Sequence, residues 1–143
     1  MVYAKIVETE KEKQDAIAIR RKVFVEEQDV PLHLELDEYD ATATHFIAYD
    51  GEKPFGAGRL RKVEPSIVKV ERVCILPEYR GQHLGNLLMN CMEVYAASKG
   101  YKKLKLNAQS YAIPFYEKRE YMITSPEFLE AGIPHRAMEK ALS

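Results

Sequence analysis

Arg80, Gly81 and Gly85 fall between a β-branched apolar run and a segment with helical periodicity, and that placement can do chemistry. The run Val68–Leu76 stops at Pro77, so it reads as a strand. Beyond the loop, Leu84, Leu87, Leu88, Cys91, Met92 and Tyr95 recur at helical spacing. A strand, a glycine-containing loop and a helix in that order leave backbone N–H groups free at a helix N-terminus. Those groups and the helix dipole attract an anion, most often a phosphate. An ordinary turn before a helix is the alternative reading of the same residues.

The elements that must position this loop can be read on either side of it. Val2–Val7 alternates as a strand. Glu10–Gln28 reads as a helix with Ile17, Arg20, Val23 and Phe24 on one face. Thr9 is its N-cap with Glu12 three residues on, and Pro31 stops it. Val30–Thr44 is an irregular acidic stretch long enough to be a substrate-side loop. Thr44–Asp50 and Pro54–Val63 read as strands joined by an Asp50-Gly51 hairpin turn, with Ser66–Leu76 as the next antiparallel strand. The long helix covers Gln82–Lys99 and ends at Gly100. Lys102–Leu106 is predicted as a strand, Ser110–Lys118 as a short helix, Pro126–Ala131 as a helical turn and His135–Leu142 as a final strand. The pattern predicts an α+β fold, and residues 1–143 are expected to form a single domain.

Composition removes several function classes. A formal net charge of -1 argues against a bulk nucleic-acid binder. No apolar run approaches the roughly 18 residues a membrane span needs. Met1–Ile6 lacks the apolar core of a signal peptide, so the cytoplasm is the expected location. Cys74 and Cys91 sit inside apolar patterns and read as reduced, buried thiols. His33, His45, His83 and His135 are scattered without paired ligand spacing, so no metal site is expected, and His45 and His135 read as structural. The loop is not a P-loop, because no Gly-x-x-x-x-Gly-Lys-Ser/Thr stretch exists. Glu26, Glu27, Asp37, Glu38 and Asp40 form an acidic group, either a solvated surface or a lure for a cationic amine.

The stretch Leu76-Pro-Glu-Tyr-Arg-Gly-Gln-His-Leu-Gly85 resembles the acyl-CoA-binding signature of the GNAT superfamily of N-acetyltransferases, Arg/Gln-x-x-Gly-x-Gly/Ala. A second match lies at Ala112–Tyr121, which resembles the family's apolar-Tyr-x-x-x-Gly-Phe/Tyr segment. Arg21–Pro31, Leu106–Gln109 and Ala131–His135 are similar to the small bacterial ElaA/YjcF-like branch. Two positions depart from the pattern: His83 stands at the family's middle glycine, and Glu120 at the glycine before the last aromatic. His83 could crowd a pyrophosphate or restrict the loop's dihedrals. Glu120 suggests a different end to the short helix.

The resemblance implies a mixed, mostly antiparallel sheet flanked by helices, splayed into an acetyl-CoA cleft. It implies an acetyl-CoA-dependent N-acetyltransferase in which a small-molecule or peptide amine attacks the thioester directly in a ternary complex. In that reading Arg80, Gly81, Gln82, His83, Leu84 and Gly85 hold the pyrophosphate, with Gly81 and Gly85 small so that backbone and phosphate can approach. The backbone of Val73, Cys74 and Ile75 pairs with the pantetheine arm, and Asn107 or Gln109 adds a contact. Tyr116 lies near the thioester sulfur and protonates or stabilises the departing thiolate; packing as a core aromatic is its other reading. By strand parity Glu71 shares the face of Val73 and Ile75, near the acetyl end, where it could take the amine's proton. A salt bridge is the alternative role for Glu71. No nucleic acid or membrane partner is implied, and a homodimer stays open. The rival functions are a non-catalytic acyl-CoA-binding or regulatory module and a protein-interaction domain that lost the cofactor.

Overall fold

A computed structural model of the protein describes residues 1–142. Its sheet has the strand order β1-β2-β3-β4-β5-β8-β6, with β7 pairing β8 off that path. In the chain these are β1 (Val2–Ile6), β2 (Thr44–Asp50), β3 (Lys53–Glu64), β4 (Ile67–Ile75), β5 (Lys103–Gln109), β6 (Met122–Ile123), β7 (Phe128–Glu130) and β8 (Ile133–Ala141). Four α-helices accompany them: α1 (Glu10–Arg20), α2 (Leu32–Glu35), α3 (Leu84–Ser98) and α4 (Ile113–Lys118). Every strand pairing is antiparallel except β4 with β5. This is the α+β fold that the residue pattern predicts and the mixed, helix-flanked sheet that the resemblance implies.

Each face of the sheet carries its own core. On one, Leu88, Met89, Met92 and Ala96 of α3 pack on Phe46, Leu60, Val68, Val70 and Leu104. On the other, Ala16, Ile19 and Val23 pack on Ile47, Phe55, Ala57 and Cys74. The spacing 16, 19, 23 is one helical stripe, displaced by a residue from the expected one, so Ile17 and Phe24 are only half-buried. Thr9 and Glu12 form a reciprocal capping box at the start of α1. Gly51 turns the β2–β3 hairpin at φ +60, and Gly100 follows α3 at φ +84, both in the region that glycine enters without steric cost.

Helix α1 does not end as an α-helix. From Arg21 to Glu27 it widens into a π-helical turn, with Gln28 N–H donating to the Val23 carbonyl at 3.1 Å. Pro126–Ala131, expected as a helical turn, contains the strand β7 instead. Ala131 (φ +51) and Gly132 (φ +75) reverse the chain there so that β7 folds back on β8.

The functional geometry begins where β4 and β5 part. Their parallel ladder runs from Ile67 opposite Lys103 to Val70 opposite Leu106 and goes no further. Beyond it, Glu71–Ile75 and Asn107–Gln109 diverge as the two lips of a wedge. A β-bulge in β4 marks the point of departure: Arg72 sits at φ +60, and the register with β3 slips between Arg59 and Ala57.

Candidate active site

The wedge opens into a cavity of about 350 Å³. Val73 of β4, Asn107 and Gln109 of β5, and Tyr116 of α4 all line it. The loop that follows β4, Arg80–Gly85, delivers the N-terminus of α3. No side chain caps that terminus. Among the described residues, the N–H groups of Gln82, His83, Leu84 and Gly85 have no protein acceptor. Four unpaired amides leading into a fifteen-residue helix fit a pyrophosphate.

Both departures from the family pattern keep the glycine's conformation. His83 has φ +62 and Glu120 has φ +74, each in the left-handed region. The short helix therefore ends as a glycine would end it, contrary to the expectation from Glu120. Gly81, at φ +78, also needs its freedom, whereas Gly85 does not. A Cβ on Gly85 would come within 3.2 Å of the Phe115 ring, so its smallness makes room for α4.

Arg80 fixes the loop. Its Nε donates to the Ile75 carbonyl at 2.9 Å, and its two Nη atoms form a bidentate pair with Glu27 at 2.7 and 2.8 Å. The next residue along, Gln28, exchanges side-chain hydrogen bonds with Gln109 at 2.8 and 3.4 Å. The π-helical turn thus braces both lips of the wedge. Asn107 donates to Glu130 at 3.1 Å, which ties β5 to the β7–β8 hairpin.

Tyr116 is buried, edge-on to Phe115 and Tyr121. Burial raises the pKa of its phenol well above the ordinary value. No protein group hydrogen-bonds its hydroxyl among the described residues.

Glu71 is not where parity placed it. The bulge at Arg72 consumes one extra residue, so the alternation inverts across it. Val73 packs toward α3 with Val68 and Val70 and Cys74 packs toward α1, whereas Glu71 lines the cavity from within a cluster of cations. There it meets Arg59 (2.9 Å), Arg61 (3.0 Å) and Lys69 (3.5 Å). These cations outweigh its burial and lower its pKa. Cys74 points into the α1 core, 6% exposed, and burial pushes its thiol up to about 12. Cys91 is half-buried, and both cysteines are free.

Three of the five acidic residues, Glu27, Asp37 and Asp40, are held in ion pairs. Arg20 is fully buried and holds Glu35 at 2.8 Å and Asp40 at 2.6 Å. Arg59 holds Asp37 at 2.7 Å and Asp40 at 2.8 Å. Arg72, freed by the bulge, reaches Glu35 at 2.6 Å and Asp37 at 3.1 Å. Asp40 is held well below the usual carboxylate range by Arg20, the Asp37 N–H and Arg59, which together overcome its burial. Burial raises Glu35 against the pull of Arg20 and Arg72. Glu27 is spent on Arg80, and only Glu26 and Glu38 face solvent freely. Nothing in the sequence announces this network except charged residues at positions whose periodicity is apolar, Arg20 above all.

His45 is structural, its Nε2 against the Asp40 carbonyl at 2.8 Å. His135 lines the cavity. Its Nδ1 lies 2.7 Å from the Ile133 carbonyl, an acceptor, so Nδ1 carries the hydrogen. Nε2 lies 3.6 Å from Glu130 and carries the lone pair in the neutral form of the ring. No group of metal-ligating side chains occurs among the described residues, and no helix of the described residues is long and apolar enough to cross a membrane.

Comparison with known proteins matches this geometry. The model of the family described as Acetyltransferase (GNAT) domain matches residues 8–142. An uncharacterized N-acetyltransferase of Bacillus subtilis (strain 168), YjcF, is 44% identical over 138 residues, covering 96% of this chain and 98% of its own. An acyl-CoA N-acyltransferase structure from Pseudomonas aeruginosa superposes with a TM-score of 0.86 at 27% identity, with 99% of both chains covered. Escherichia coli ElaA shares the fold, with a TM-score of 0.88 at 21% identity over 98% of this chain and 99% of its own. A splayed β4–β5 pair, an uncapped α3 and a full-length match to this family lead to one conclusion: the chain belongs to the GNAT acetyltransferases.

Proposed function

We propose that the protein is an acetyl-CoA-dependent N-acetyltransferase, residues 1–143 acting as one such domain in the cytoplasm. A primary amine attacks the thioester directly in a ternary complex. The observation that carries this reading is the wedge itself: β4 and β5 stop pairing beyond Val70 and Leu106, Val73, Gln109 and Tyr116 line the cavity there, and β4 runs on into the loop before the uncapped α3. Bound acetyl-CoA supplies the acyl group and a thiolate leaving group. The amides of Gln82–Gly85 hold its pyrophosphate, and the bared edge Val73–Ile75 aligns its arm, so the chain gains rate chiefly by alignment.

Tyr116 faces the departing sulfur. Its raised pKa makes it a weaker acid than a thiol, whose ordinary pKa is about 8.5. It therefore acts as a hydrogen-bond donor to the thiolate, and the proton that balances the reaction comes from the amine. Glu71 is a poor acceptor for that proton, because three cations stabilise its charged form. His135 is better placed: its Nε2 lone pair is free, and Glu130 stabilises the imidazolium that forms. Cys74 is too buried and too weakly acidic for a covalent acyl-enzyme.

Calorimetric titration with acetyl-CoA, followed by thiol release with a panel of amines, tests the reading. We expect heat of binding, a raised melting temperature and amine-dependent release. Neither heat nor thermal shift at millimolar acetyl-CoA would overturn it. Binding without release from any amine would instead support the non-catalytic module.

A further inference from the structure

Three basic side chains lie abreast across the sheet at the closed end of the wedge. Arg61 of β3 is the cross-strand partner of Lys69 of β4, and Lys69 is the partner of Lys105 of β5. Like charges in adjacent register destabilise a sheet. The available counter-charges do not cover the row. Glu71 also takes Arg59, and Glu139 lies 4.0 Å from Lys105 while pairing with Lys103 at 3.0 Å.

Two of the three line the cavity, and both keep free donors. Lys69 makes no hydrogen bond to a protein group among the described residues; its nearest carboxylate oxygen is 3.5 Å away. Arg61 spends Nε and Nη2 on Glu71, and its Nη1 has no protein acceptor among the described residues. Its guanidinium is held flat by the Tyr39 ring at 4.0 Å from the centroid. A cation stacked, oriented and carrying an unused donor is preorganised for an oxyanion. Glu130 of β7 and His135 of β8 line the same cavity from the strands beyond β5. The lining carboxylates Glu35, Asp37 and Glu71 are already engaged by Arg20, Arg59, Arg61 and Arg72, so Lys69 and the Arg61 Nη1 are the donors left for a ligand.

We infer that the acceptor is an amine that also carries a carboxylate or phosphate, with the oxyanion on Arg61 and Lys69 and the amino group toward Glu130 and His135. The inference rests on the acetyltransferase reading. In the reaction the N–C bond forms, the C–S bond breaks, and the proton lost by nitrogen returns on the coenzyme A thiol. Glu71 is then a positioning residue that orients Arg61 for the acceptor.

Matched amines test it on the full chain with acetyl-CoA, by thiol release. Amino acids are run against their amides, and phosphoethanolamine against ethanolamine. One charge-assisted hydrogen bond predicts a kcat/KM for the anionic member about tenfold or more above that of its neutral partner. Preference within the first pair identifies a carboxylate, within the second a phosphate. Lys69→Met should draw the favoured ratio toward one through KM, with the melting temperature and acetyl-CoA titration showing a folded, loaded enzyme. Equal kcat/KM across both pairs, or a ratio untouched by both Lys69→Met and Arg61→Met, overturns this inference alone. Bound acetyl-CoA with no release from any amine overturns the transferase reading and this inference together.

Discussion

Replacing Arg20 with methionine removes the centre of the buried charge network and leaves its volume nearly intact. The guanidinium is fully buried and makes four hydrogen bonds to Glu35 and Asp40. Breaking a buried pair from one side costs about 3–5 kcal/mol. Here Glu35 keeps Arg72 and Asp40 keeps Arg59, so the loss belongs at the lower end, about 3 kcal/mol. With an unfolding entropy near 2.1 cal/mol/K per residue, that loss lowers the melting temperature by about 10 °C. The loss also depends on pH. Burial already raises Glu35, and removing one of its two cations raises it further above the value of about 4.3 in the unfolded chain. Above that pH the folded state binds more protons than the unfolded one, so the variant loses stability as pH rises. The gap to wild type should widen from pH 5 to pH 8. Melting curves followed by circular dichroism at the two pH values measure this, and Arg20→Met with Glu35→Leu should recover more than half of the loss. A drop of under about 3 °C at pH 8, or a gap that narrows toward high pH, would refute the reasoning.

Other consequences can be measured directly. Tyr116→Phe should lower turnover by about 10²-fold with nearly unchanged acetyl-CoA affinity, and equal turnover would leave Tyr116 as a core aromatic. Glu71→Gln strips the counter-charge from Arg61 and Lys69, so melting should fall by about 6 °C while the pH–rate profile keeps its form. A shifted acidic limb with intact melting would restore Glu71 as the base. At positions 83 and 120, glycine variants should melt above the corresponding alanine variants by about 3 °C, because only glycine is free of the left-handed penalty. Alanine melting at or above glycine would refute the strain.

Much of this architecture is written in local signals. The capping box at Thr9, the Asp50-Gly51 turn and the periodicity of α3 are short-range, and each appears where those residues predict it. The loop between β4 and α3 is legible for the same reason. What stays hidden is set by partners distant in the chain. Arg20 reads as one more helix-face residue until Glu35 and Asp40 fold over it, 15 and 20 positions on. The parity of Glu71 fails because one bulged residue, Arg72, cannot be seen in an alternating sequence, and its reason is an ion pair with Glu35 and Asp37. Phe128–Glu130 carries too few residues for any period, and only the edge of β8 makes it a strand.

The braces across the wedge come from neighbours in the chain, Glu27 and Gln28, and this makes chain length itself a determinant of the opening. A regular α-helix turns about 100° per residue, so one residue gained or lost in Arg21–Glu27 would swing one brace off its lip. The widened π-helical turn absorbs the surplus that lets consecutive side chains grip opposite sides of the gap. The aperture is gauged by a helix outside the sheet. A single insertion between Arg20 and Gln28 would therefore slacken the jaw that the sheet only outlines.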